Sequence, residues 1–174
     1  MSIHFGADST VIHSASGLGD GKVIQVVQTA KTDTFSQSLS SGSLSTVIME
    51  RTITPSSSSN KILLLCHLNV SSNGGVGFQF TRGGSALDAS TGNADSSRIR
   101  LTCQSQCAHT TQQHSLDAVF LDDPSTTNQI TYGVKLFVRD NQTQTMYLNR
   151  SSAHQSNGWD SITASFLICQ EIAA

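Results

Sequence analysis

Charge is what this 174-residue chain has least of: Asp, Glu, Lys and Arg make up 13% of it, about half the usual share of a soluble protein. Ten basic residues against twelve acidic give a net charge of -2, which leaves no basic field to gather phosphates and removes the main electrostatic term of nucleic-acid binding. Four cysteines are too few for a disulfide scaffold. Cys66 and Cys169 sit inside apolar runs and read as reduced buried thiols, which suggests folding in a reducing cytoplasm. No window approaches the roughly 20 apolar residues that span a bilayer. The opening MSIHFGADST has no basic, then apolar, leader pattern. The expectation is a soluble, unprocessed chain with no membrane insertion. A 3.6-residue apolar period never persists for three turns, so helical architecture is excluded.

What fills the deficit is Ser, Thr, Gln, Asn and 13 Gly, a neutral, hydroxyl-rich composition. β-branched runs bounded by turn residues predict strands over Lys22–Gln28, Leu44–Ile53, Lys61–Val70, Val76–Arg82, Arg98–Gln104, His114–Leu121, Ile130–Arg139, Thr145–Asn149 and Ser161–Ile172. Pro55, in the Thr54-to-Asn60 turn, fixes φ and removes a ladder donor, so no strand passes through it. Val76, Phe78 and Phe80 alternate with Gly77, Gln79 and Thr81 as in a half-buried strand. Ile130, Tyr132, Val134, Leu136 and Val138 share one face, with a hairpin turn expected at Asp140-Asn141. About nine strands with long excursions at 83–97 and 150–160 predict an all-β, antiparallel β-sandwich or jelly roll.

One core suits this length. The predicted division is residues 1–21 as an extended N-terminal arm with a glycine hinge, and 22–174 as a single domain. The arm's apolar residues, Ile3, Phe5, Val11 and Ile12, cannot form a core of their own and must pack on the domain, a sister subunit or another protein. A sandwich leaves edge strands open, and few charges are available to blunt them, so contact with sister subunits is expected.

Chemistry-bearing clusters are sparse. Cys103, Cys107, His109 and His114 form a C-x3-C-x-H-x4-H group of metal-type ligands, but the long loop between ligand pairs that zinc sites use is absent. Buried thiols beside a polar histidine loop is the reading adopted, so no metal or other cofactor is assigned. Asp88, Asn93 and Asp95 share a loop that offers oxygen ligands without an EF-hand pattern; a solvated loop fits them. No G-x-S-x-G elbow precedes a helix, and the adjacent Asp122 and Asp123 do not converge on one bond. The chain reads as no enzyme. Trp159, the only tryptophan, lies in the polar loop Ser156-Asn157-Gly158-Trp159-Asp160, where it could stack on a sugar or lock a subunit contact. Asp88, Asn93, Asp95, Arg150, Asn157 and Trp159 are therefore the candidate contacts to a host surface or glycan.

The run K-V-I-Q-V-V-Q-T-x-K-T-D-T-F-S at Lys22 to Ser36, then I-T-P-S-S-S-S-N-K-I-L-L at Ile53 to Leu64, resembles the opening of short tailed-phage virion proteins from phages of aquatic bacteria. Phe120 to Pro124, Thr131 to Val134, Tyr147 to Ser151 and Ser161 to Ala173 are similar to segments of the same family in the same order. The hairpin bearing Asn149-Arg150 and the closing strand also resemble trimeric jelly rolls of the C1q and tumour-necrosis-factor type. The resemblance implies a homotrimeric structural protein of a virion, built in the bacterial cytoplasm, with other tail or capsid proteins as partners. Its members are tail-fibre or appendage proteins, often the distal part of longer chains. Here only about twenty residues precede the domain, too few for a fibre shaft, so a capsid decoration (cement) protein is the second expectation. In either, Ile3, Phe5, Val11 and Ile12 would make the attachment to the virion.

Overall fold

The computed structural model describes residues 21–107, 112–139 and 142–174. Two antiparallel sheets face each other. The first, sheet A, is built on β4 (Lys61–Ser72). On one side of β4 lies β8 (His114–Asp122), with Val70 opposite His114. On the other lie β11 (Ser165–Ile172) and β10 (Gln144–Leu148), end to end. β1 (Val23–Lys31) extends β11, and β2 (Phe35–Leu39) extends β10. Sheet B runs β3 (Leu44–Ile53), β9 (Ile130–Arg139), β5 (Gly75–Arg82), then β7 (Cys103–Gln106) and β6 (Ser85–Ala86) on the far side of β5. The connections β2 to β3, β3 to β4, β4 to β5, β7 to β8, β8 to β9 and β9 to β10 all change sheet. That is the crossing pattern of a jelly-roll sandwich, as expected.

The period-2 pattern decides which side chains meet between the sheets. Sheet A contributes Ile62, Leu64, Leu68, Val70, Leu116, Met146, Leu148 and Leu167; sheet B contributes Val76, Phe78, Phe80, Tyr132, Val134, Leu136 and Val138. Phe78 and Phe80 meet edge to face, ring centres 5.3 Å apart, a geometry their quadrupoles favour. The expected single face of β9 is buried throughout, and Cys66 and Cys169 are buried as predicted. The thiols are free. Desolvation raises that of Cys169 to about 12 and that of Cys66 well above its ordinary value.

Several strand predictions need correction. β5 is buried on both faces, not half-buried, because residues 87–102 lie across its outer side. Gln79 Nε2 donates to Arg100 O at 3.1 Å and Thr102 N–H to Phe78 O at 2.9 Å. Residues 98–102, expected as the start of a strand, are this irregular strap, and the strand itself is confined to Cys103–Gln106. β9 and β10 do not pair as a hairpin: they belong to different sheets. The last strand starts at Ser165 rather than Ser161. β1 runs on to Lys31, and β2, in a stretch expected to be turn, is an added strand.

Candidate functional site

Every second residue of β4 points away from the core, and two of these, Leu63 and Leu65, are leucines. Across the register Leu63 faces Leu121 on β8 and Gln170 on β11, while Leu65 faces Val119 and Ile168. Val26 on β1 lies opposite Gln170. Phe166, beside His67, continues the apolar surface, with those rings stacked 6.2 Å apart. Val119 is 67% exposed, Val26 55% and Leu121 52%. A shallow apolar groove of about 270 Å³ lies among Leu65, Val119, Phe166 and Ile168, bordered by the His67–Asp117 pair at 2.6 Å. An exposed apolar sheet face of this kind is a candidate interaction surface. The site residues chosen from sequence missed it. Its signal was the unbroken Ile62-Leu63-Leu64-Leu65-Cys66 run, which reads as a strand covered on both faces, whereas this chain covers only one.

The second feature rises where β10 gives way to β11. The chain leaves sheet A at Asn149 and returns beside it, Thr163 N–H donating to Asn149 O at 3.0 Å. Asn149 is fully buried with φ of 62°, a left-handed conformation that asparagine tolerates better than most residues. Its amide donates to Lys31 O and Asp33 O at 2.8 and 2.9 Å and accepts from Ser165 Oγ at 2.6 Å. Residues 150–164 are therefore a closed Ω-type loop on a fixed base. Within it Asp160 Oδ2 accepts from Ser151 Oγ at 2.9 Å and from the Gln155 N–H. Asn157 Oδ1 accepts from Trp159 N–H at 3.2 Å. Gln113 braces the returning limb, donating to Ser161 O at 2.7 Å and accepting from Thr163 Oγ1 at 2.8 Å. The result holds Trp159 outward, 89% exposed. An open hollow of about 680 Å³, lined in part by His154, Ser156, Asn157, Asp160 and Ser161, lies in the same loop.

The remaining predicted residues fare differently. Arg150 lies over the Tyr147 ring at 4.5 Å, a cation–π contact that ties it to β10. Asp88 and Asp95 are paired with Arg100 and Arg98, each at 3.3 Å. Arg100 also donates to Gly92 O and Asp88 O, so this loop is strapped to sheet B, and Asn93 is exposed within it. Among the described residues no three His, Cys, Asp or Glu side chains gather as a metal centre. Cys103 and Cys107 are free, and burial pushes the Cys107 thiol up. His114 opens β8. His109 lies outside the described residues, as do Ile3, Phe5, Val11 and Ile12.

Two buried polar clusters have structural work. Asp122 accepts from Tyr132 OH at 2.5 Å and from Arg82 at 2.9 Å, joining the sheets at one end. Glu171 Oε1 accepts from Ser56 N–H, Ser56 Oγ and Asn60 Nδ2 at 2.6, 2.7 and 2.6 Å, clamping the Pro55 turn to β11. No protein-family model matches the chain, and no curated protein matches it significantly.

Proposed function

We propose that this chain is a non-enzymatic structural protein of a tailed-phage virion, acting as a homotrimer in a tail appendage that meets the host surface. The observation that carries the reading is the outer face of sheet A, where Leu63, Leu65, Val119, Leu121, Phe166 and Ile168 leave apolar area that one chain does not cover. A stable interface of ordinary size removes about 800 Å² from each partner, which a broad sheet face can supply. Self-association also shields the flanks of β1 and β8, which with β2 are the outer strands of sheet A. The ordered resemblance from Lys22 to Ala173 supplies the virion setting.

The test is the mass of the purified protein by sedimentation equilibrium. Three times the 18.5 kDa chain is expected, and a monomer at micromolar concentration would remove the reading. Counting copies in a purified virion then separates two placements. A number set by tail symmetry fits an appendage, and one approaching the number of capsid subunits fits a decoration protein.

A further inference from the structure

We propose that the Trp159 loop is a saccharide site, with the indole as the platform for one neutral sugar ring and the hollow in the same loop receiving its hydroxyls. This deepens the receptor-binding reading above and rests on it for the setting of the ligand.

Trp159 could supply 150–250 Å² of contact if covered, yet it stands 89% exposed on a loop closed by hydrogen bonds at its base and across its middle. The backbone beneath the ring is fixed by these bonds, and with two side-chain torsions the ring itself has little freedom to lose on contact. A pyranose presents an apolar C–H face and a rim of hydroxyls. The loop carries both: the Trp159 ring for the face and, around a hollow lined by its chain neighbours Gly158 and Asp160, the polar side chains of His154, Ser156, Asn157, Asp160 and Ser161 for the rim. Sites of this kind combine an aromatic surface with a few convergent polar groups.

Charge narrows the class. Residues 150–164 contain no lysine and one arginine, and Arg150 is engaged on Tyr147. The hollow carries a carboxylate, Asp160, against the single imidazole of His154, which disfavours a phosphate, a sulfate or a uronic acid, so the ligand class is a neutral sugar. A protein partner fits less well, because apolar area is concentrated in Trp159 and Ile162 amid Ser, Asn, Gln and Asp, far short of the core of a protein interface.

Trp159 is the only tryptophan, so its emission reports directly on the site. The intact protein is screened on an array of bacterial O-antigen and capsular oligosaccharides, and the strongest neutral binder is titrated. Saturable quenching or a blue shift is expected in the parent protein, and titration calorimetry, which does not need the indole, should show affinity falling about tenfold or more in Trp159→Ala and less in Trp159→Phe. Sedimentation mass and melting temperature should stay at wild-type values, since the ring contributes nothing to the core. Asp160→Ala, which frees Ser151 and Gln155, should also weaken binding. Absence of binding to every neutral glycan, a preference for acidic ones, or equal affinity in Trp159→Ala overturns the proposal. A trimer that binds no sugar leaves the virion reading standing without this site; a monomer that binds sugar through Trp159 does the reverse.

Discussion

Glu171 shows how one residue can hold two distant segments of the chain together. Burial alone would raise its pKa, but hydrogen bonds from Asn60 and Ser56 outweigh that and leave it below the ordinary glutamate value. A depressed folded-state pKa adds stability that is complete above the unfolded value near 4.5 and is lost as pH falls through the lower folded value. Glu171→Gln should therefore flatten the acid limb of the stability curve. It should also cost about 2 kcal/mol at neutral pH, because a buried charge-assisted acceptor becomes a weaker one. Urea unfolding midpoints measured from neutral pH down to about pH 3 check both parts; an unchanged acid limb would show that Glu171 is not responsible for it.

At the scale of elements, the strap over β5 depends on a missing side chain. A Cβ on Gly77 would come within 2.7 Å of both Cys103 O and Leu101 Cδ1, too close for either to remain in place. Gly77→Ala should cost about 1–3 kcal/mol, the usual penalty of overpacking, and should loosen residues 98–106 rather than the β9 side. Faster hydrogen exchange at the Thr102 N–H, with Val134 and Leu136 unchanged, is the expected signature. The same strand shows where sequence periodicity stops being informative. Val76, Phe78 and Phe80 announce an inner face, but Gly77, Gln79 and Thr81 look like a solvated outer one, and only the return of residues 87–102 buries them. β9 was legible because all five of its inward residues are large and apolar. Its pairing was not: a turn at Asp140-Asn141 signals a reversal whether the chain re-enters the same sheet or crosses to the other. β2 was hidden in Phe35-Ser36-Gln37-Ser38-Leu39, whose serines and glutamine carry little β signal. The Trp159 loop could be located from sequence, but the hydrogen bonds that close it, Thr163 N–H to Asn149 O and those of Gln113 to Ser161 and Thr163, are made only by the fold.

For the whole molecule, the question is what covers sheet A and what residues 1–20 contribute. If the outer face joins copies of the chain, Val119→Asp with Leu121→Asp should give a folded monomer. Both side chains are more than half exposed in the single chain, so the core survives, whereas apposed carboxylates in a dry interface are strongly unfavourable. A trimer that persists in this variant, judged by sedimentation, would move the interface elsewhere. Removal of residues 2–20 should have the opposite effect. The ladder that closes β1 on β11 begins with Gly21 N–H donating to Ala173 O at 2.7 Å and Ala173 N–H to Lys22 O at 2.9 Å, and among the described residues the buried core runs from Leu39 to Cys169, with Val27 and Phe35 packed against it. The truncated chain should keep its trimeric mass and melt within a few degrees of the parent, a shift that corresponds to about 1 kcal/mol or less. If Ile3, Phe5, Val11 and Ile12 are the attachment device, that same truncated trimer should fail to join virions in a complementation assay. A large drop in melting temperature would instead place the arm on the domain, as a part of the fold.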